Sequence, residues 1–234
     1  MNLIHAETVE KDYRIGDITI NAIRGVDFAI DTASFVSFVG PSGSGKTTLL
    51  NMIGCLDRPT DGHLTILDTE VTGLDSRRAA AFRGENIGFV FQDFNLIPVL
   101  TAYENIEYPL VMVQQWPKEK RRRRVDELLE AVDMSEQAGK RPDQLSGGQK
   151  QRVAVARALV TNPKLVLADE PTANLDSVTA QRIIELMKRL RDEFQTTFVF
   201  STHDANIVDE AETVYELEDG VLLNGAGTGG MTHV

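Results

Sequence analysis

The chain has 234 residues, of which 42% are hydrophobic and 25% charged, which excludes an intrinsically disordered chain and a mini-protein that needs staples. Its 24 bases and 35 acids give a net charge of −11, which argues against a general nucleic-acid binder, although charge can be local. The single cysteine, Cys55, cannot form an intrachain disulfide, so nothing points to an oxidising compartment. No apolar run reaches the roughly 18 residues of a transmembrane helix, and residues 1–7 lack a signal-peptide pattern. A cytoplasmic chain is the expectation.

In chain order, residues 18–20 and 26–30 read as antiparallel strands with polar outer faces. Residues 35–39 form a nearly continuous apolar run ending in a glycine cluster, as a buried parallel strand does. A helix follows from about Lys46 to Ile53, and residues 87–91 are another buried strand. From about 94 to 145 the texture turns helical. Thr101 suits the cap of a helix running to about Met112. Pro117 opens another, in which Val125, Leu128, Leu129 and Val132 recur at i, i+3, i+4, i+7. A helix is expected from 146 to about 161, a buried strand at 165–168, a long helix over 177–195 and a strand at 197–200. Residues 214–217 and 221–223 suggest a hairpin turning at Asp219-Gly220, and 224–234 a loose tail. Strands alternating with helices indicate a parallel α/β core.

Gly40-Pro41-Ser42-Gly43-Ser44-Gly45-Lys46-Thr47 fits G-x-x-x-x-G-K-S/T, between a buried strand and a helix as the pattern requires. Glycines let the backbone fold around a phosphate, and the turned N–H groups and helix N-terminus direct partial positive charge at the anion. In such loops the lysine, here Lys46, reaches the β- and γ-phosphates, and the hydroxyl of Thr47 ligates Mg2+. The strand at 165–168 runs into Asp169 and Glu170. Ligands of open α/β sheets bind beyond the carboxyl ends of strands, so Asp169 is placed to hold Mg2+, directly or through water. Glu170 is placed to orient and polarise an attacking water. The plainer alternative for both is a strand capped by solvated acids. Leu145-Ser146-Gly147-Gly148-Gln149 also stands before a helix, with Ser146 suited to the N-cap and free N–H groups suited to an anion. Two such sites on one chain suggest two chains sharing two nucleotides, each sandwiched between the loop of one and this motif of the other.

These motifs, in this order and with Ser146 100 positions after Lys46, resemble the ATP-binding subunit of an ABC transporter over nearly the whole chain. The resemblance implies an α/β P-loop NTPase core with a mostly parallel sheet, an N-terminal antiparallel β subdomain and an inserted helical subdomain. The core falls at about 1–93 and 146–223, and the helical subdomain at about 94–145. ATP and Mg2+ are the implied cofactors. ATP contacts are implied for Gly40, Pro41, Ser42, Gly43, Ser44, Gly45, Lys46, Thr47 and Thr48, and for Ser146, Gly147, Gly148 and Gln149. Gln92 matches the glutamine loop that senses Mg2+ and faces the membrane partner. Asp176, in Asn174-Leu175-Asp176, matches the loop crossing the dimer interface. His203 matches the switch histidine at the γ-phosphate, and Tyr13 the aromatic that stacks on adenine. The implied catalytic set is Glu170, His203 and Lys46, with Thr47, Gln92 and Asp169 at the metal. The implied assembly is a homodimer of ATPase subunits under transmembrane permease subunits, on the inner face of the cell membrane, without nucleic acid.

Gly88-Phe89-Val90-Phe91-Gln92, Asn95-Leu96-Ile97-Pro98 and the stretch from Asp169 to Asp176 are similar to the lipoprotein-releasing and macrolide-export type. That type often moves hydrophobic cargo by conformational force. Ala33-Ser34 stands where the family usually has Gly-Glu, Asp68 where glycine is frequent, and Thr213 where arginine is common; none touches nucleotide chemistry. The other readings are a cell-division-type signalling ATPase without transport and a soluble ATPase acting on nucleic acid. Lys118-Glu119-Lys120-Arg121-Arg122-Arg123-Arg124 carries six bases and one acid. It reads as a solvated helix face, with a nucleic-acid or anionic-lipid patch as the alternative.

Overall fold

The computed structural model describes residues 2–223; the expected loose tail at 224–234 lies outside the described residues. The chain begins with β1 (Asn2–Ile15) and β2 (Ile18–Asp31), then β3 (Phe35–Val39) and α1 (Lys46–Ile53). Next come β4 (Asp61–Ile66), β5 (Thr69–Glu70), α2 (Ser76–Asn86) and β6 (Ile87–Val90). The middle is helical, with α3 (Ala102–Met112), α4 (Lys118–Ala131) and α5 (Gly147–Leu159). The chain continues through β7 (Leu165–Asp169), α6 (Ser177–Phe194), β8 (Thr197–Thr202), α7 (Ala205–Val208), β9 (Thr213–Glu218) and β10 (Val221–Leu222).

Among the described residues these strands form two sheets, of order β2-β1-β4-β5 and β10-β9-β3-β8-β7-β6. The first is antiparallel throughout; the second is parallel except for its β9–β10 edge. Alternation across the pleat sends the large sheet's side chains into two cores. Phe35, Val166, Ala168, Phe198 and Phe200 meet α3 to α6 on one side. Val36, Phe38, Leu165, Leu167 and Val199 meet α1 and the small sheet on the other. The central strands β3, β7 and β8 are thus buried on both faces, which accounts for their long apolar runs.

The N-terminal region differs from the expectation of short strands at 18–20 and 26–30. One long strand, β2, covers both and pairs antiparallel with β1 from Asn2↔Asp31 to Ile15↔Ile18. Register shifts between Ala6, Val9 and Lys11, with Thr8 at φ 47°, break the two-residue period that would have exposed β1 in the sequence. Ala33 and Asp68, two of the departures from the family pattern, take φ 56° and 57°, the left-handed region that glycine enters without strain.

Helix ends follow their caps. Thr101 closes a capping box with Glu104 at the start of α3, and Pro117 precedes α4. The basic run lies on α4, where acids answer it. Arg121 pairs with Glu107 at 2.8 Å, Arg122 with Asp126 at 3.7 Å and Arg124 with Glu127 at 2.9 Å. Arg124 also donates to the Leu159 and Val160 carbonyls, and Lys120 lies 3.5 Å above the Trp116 ring. The run is a partnered helix face.

Candidate active site

The cleft forms where β3 and β7 end at one edge of the large sheet. After β3 the chain turns through 40–45 into α1. A Cβ on Gly40 (φ 149°) would lie 2.0 Å from the Leu217 carbonyl oxygen, and one on Gly45 (φ 107°) 2.7 Å from that of Ala22, so only glycine fits at both. The far end of the chain walls this loop. Gly220 N–H donates to the Ser44 carbonyl at 3.0 Å, and the Gly220 carbonyl accepts from Arg24 N–H at 2.8 Å. No side chain caps α1, which leaves its first N–H groups for an anion. The Ser44 hydroxyl is buried without a hydrogen-bond partner among the described residues, an unmet polar group that a phosphate oxygen would satisfy.

The cleft encloses about 680 Å³ and is lined by Ser42, Gly43, Gly45, Lys46, Thr47, Thr48, Gln92, Glu170 and His203, with Arg24, Asp219 and Gly220 at its wall. That is the size of a small-ligand site. The Lys46 ammonium donates to the Gly40 and Pro41 carbonyls at 2.7 and 2.9 Å, using two of its three donors. The Thr47 hydroxyl donates to Asp169 Oδ2 at 3.0 Å and reaches Oδ1 at 3.2 Å. Glu170, at φ 47°, leaves the end of β7 in the left-handed region. Its Oε1 lies 2.9 Å from His203 Nδ1. A carboxylate and an imidazole thus face the loop together, the pair needed to accept a proton from water and to meet a terminal phosphate.

One residue of this constellation went unread in the sequence. Ser201, fully buried on β8 and in register with Asp169, donates to Asp169 Oδ1 at 2.6 Å and accepts from Glu170 N–H at 3.0 Å. It joins both acids. A serine inside an apolar strand is the only signal, and it does not distinguish this role from packing.

Gln92 follows β6, and its carbonyl accepts from Asn174 Nδ2 at 3.0 Å, which also donates to Asp93. Asp176 caps α6 through Thr179 N–H at 3.0 Å, and hydrogen bonds from Thr179 hold its carboxyl below the usual range. Ser146 caps α5 in a box with Gln149, at 3.3 and 3.0 Å. Leu145, Ser146, Gly147, Gly148, Gln149 and Asp176 are absent from the cleft lining. Tyr13 is absent from it too, with its hydroxyl bound to Asp57 at 2.7 Å.

Thr47, Asp169 and Gln92 offer only oxygen donors, the chemistry Mg2+ prefers. No group of three or more His, Cys, Asp or Glu side chains suited to a metal occurs among the described residues. The donor set therefore fits an ion that keeps waters and phosphate oxygens as ligands and does not fit a closed protein cage. Among the described residues no helix is long and apolar enough to cross a membrane.

Comparison with known proteins agrees with this geometry. The profile of the family described as ABC transporter matches residues 23–173. An uncharacterised ABC transporter ATP-binding protein of Methanocaldococcus jannaschii, MJ0796, is 47% identical over 221 residues, spanning 93% of this chain and 94% of its own. The macrolide export ATP-binding/permease protein MacB of Syntrophobacter fumaroxidans is 42% identical over 98% of this chain, which spans 32% of MacB. The dimeric structure of the MJ0796 cassette in a post-hydrolysis state, bound to ADP and Pi, superposes with a TM-score of 0.87 at 44% identity, covering 97% of this chain and all of that one.

Proposed function

This chain belongs to the ABC transporter family as an ATP-binding, ATP-hydrolysing subunit, and on that premise we propose that two copies close around two Mg·ATP to drive a membrane permease exporting or extracting lipoprotein, lipid or other hydrophobic cargo. One observation carries the pairing. The phosphate loop lines the cleft, whereas the Ser146–Gln149 motif, the second turn whose sequence suits an anion, lies outside it. A twin chain brings the second motif of one copy to the nucleotide on the other. The solved relative is dimeric, which supports the same assembly. The sequence likeness to MacB supports the export reading.

In this scheme the loop N–H groups from Gly40 to Thr48 and the Lys46 ammonium hold the phosphates, and Tyr13 stacks on the base. Thr47, Gln92 and Asp169 would hold Mg2+, which when bound would supply positive charge against the phosphates. Glu170 accepts a proton from the attacking water, and His203 steadies both Glu170 and the γ-phosphate. Ser146 retains its hydroxyl proton while accepting from Gln149 N–H, so it can donate to the γ-phosphate of the other copy without losing its cap. Gln92, whose carbonyl accepts from Asn174, and Asp176, two residues beyond Asn174, carry the state of the site to the permease and to the interface. The core spans about 1–93 and 146–223, and the helical insert, about 94–145, meets the permease on the inner membrane face.

Glu170→Gln tests the scheme. It keeps ATP affinity, lowers turnover on the order of 100-fold or more, and elutes as a dimer with Mg·ATP in size-exclusion chromatography. Turnover at the parent rate removes Glu170 from the mechanism. A variant that binds ATP but stays monomeric removes the shared site.

A further inference from the structure

Tyr13 and Lys11 are two positions apart on β1, so both side chains leave the same face of the strand. Asp57, in the turn after α1, lies between them. Its Oδ2 accepts from the Tyr13 hydroxyl at 2.7 Å, and its Oδ1 takes the Lys11 ammonium at 2.5 Å and the Arg58 N–H at 2.7 Å. Lys11 also donates to the Arg58 carbonyl at 2.8 Å, and its ammonium stands 4.9 Å from the centroid of the Tyr13 ring. One carboxylate therefore fixes the edge of the ring and the cation on its face.

The clamp is partly withdrawn from water, since the Lys11 side chain is 11% exposed and that of Asp57 30%. Such a pair is screened less than a surface pair. Burial pushes the Tyr13 phenol up and its bond to Asp57 pushes it further, so the hydroxyl stays a donor. Burial also works upward on Asp57, but the bonds from Lys11 and Tyr13 outweigh it and hold the carboxyl below its usual range. Thr48, on the cleft wall, pulls the same phenol slightly the other way. Beyond Tyr13 the hairpin tip runs into solvent, with Ile15 and Ile18 exposed. A ring on such a tip would lose conformational freedom on binding unless it were held beforehand.

We propose that Asp57, clamped by Lys11, is a positioning residue that fixes the Tyr13 ring for stacking on the nucleotide base, and so sets how strongly the site prefers a base-bearing triphosphate over bare tripolyphosphate. The proposal rests on the stacking role of Tyr13. Stacking tolerates any base, because every base offers a π face, so the selectivity it gives is for the presence of a base.

Calorimetric titration of the full chain with Mg·ATP and with Mg·tripolyphosphate separates the two claims. Tyr13→Ala weakens ATP about tenfold and leaves tripolyphosphate unchanged. Tyr13→Phe keeps the ring but drops the hydroxyl, and Asp57→Asn keeps the volume but drops the charge. Each weakens ATP about three- to fivefold, with tripolyphosphate affinity unchanged. The double variant is no weaker than Asp57→Asn alone, because the Tyr13 hydroxyl acts through Asp57. If Tyr13→Ala weakens ATP while Tyr13→Phe binds it like the parent, the Asp57 proposal is overturned and the stacking role stands. Additive losses in the double variant overturn it as well. If Tyr13→Ala itself binds ATP normally, the stacking role falls and the proposal with it. Should Asp57→Asn fail to fold, Tyr13→Phe decides alone.

Discussion

Two helices of this chain begin at glycine-containing motifs, and they begin differently. α1 follows Gly45 with no side-chain cap, inside a cleft; its first residue is a buried lysine, and the nearby Ser44 hydroxyl has no partner among the described residues. α5 starts at Ser146 with a closed capping box, outside that cleft. The first N-terminus is left open for an anion; the second is already satisfied and stable on its own. An open N-terminus needs a ligand to complete its hydrogen bonding, whereas a capped one can wait for a partner without strain. The difference is what the proposed pairing requires: one N-terminus open to an anion within the single chain, the other held ready for a twin.

Four substitutions sharpen or break that contrast, beginning with the largest effect. Lys46→Ala removes the charged donor and lowers ATP affinity on the order of 100-fold in calorimetry. Unchanged affinity would mean the loop is not the primary site. Gly148→Asp puts a Cβ 2.6 Å from Thr179 Cγ2 and a negative charge where a phosphate is expected. It lowers turnover by about 100-fold while the dilute single chain binds ATP as before. A matching loss of affinity in the monomer would erase the distinction between the two turns. Ser201→Ala unties Asp169 from Glu170, reduces turnover by roughly tenfold and destabilises the fold by about 1–3 kcal/mol in chemical denaturation. Parent-level turnover would show that the acids hold their places without it. Thr101→Ala opens the capping box on α3, costs about 1 kcal/mol in the same assay and leaves turnover unchanged. That variant is the control for a cap with no ligand duty.

Much of this was legible in advance. The bounds of α1 fall on Lys46 and Ile53 as expected, because an apolar run and a glycine loop bracket it. Ser146 and Thr101 mark helix starts through cap chemistry that acts locally. The strands of the large sheet announce themselves by being apolar on both faces. What escaped notice was non-local or weakly patterned. β1 hides behind its bulges. α2 buries only Ala79 and so carries no apolar stripe. β4 needs β1 beside it to become a strand. In the site, Lys46, Thr47, Glu170 and His203 converge on one cleft, whereas Ser201 and the Asp57 clamp are visible only once strands and turns lie side by side.

The wall behind the phosphate loop has a consequence for how the protein is made. Residues 40–45 rest against Leu217 and Gly220, which lie far downstream in the chain. A nascent polypeptide on the ribosome therefore carries the complete motif long before it carries the surface that shapes it.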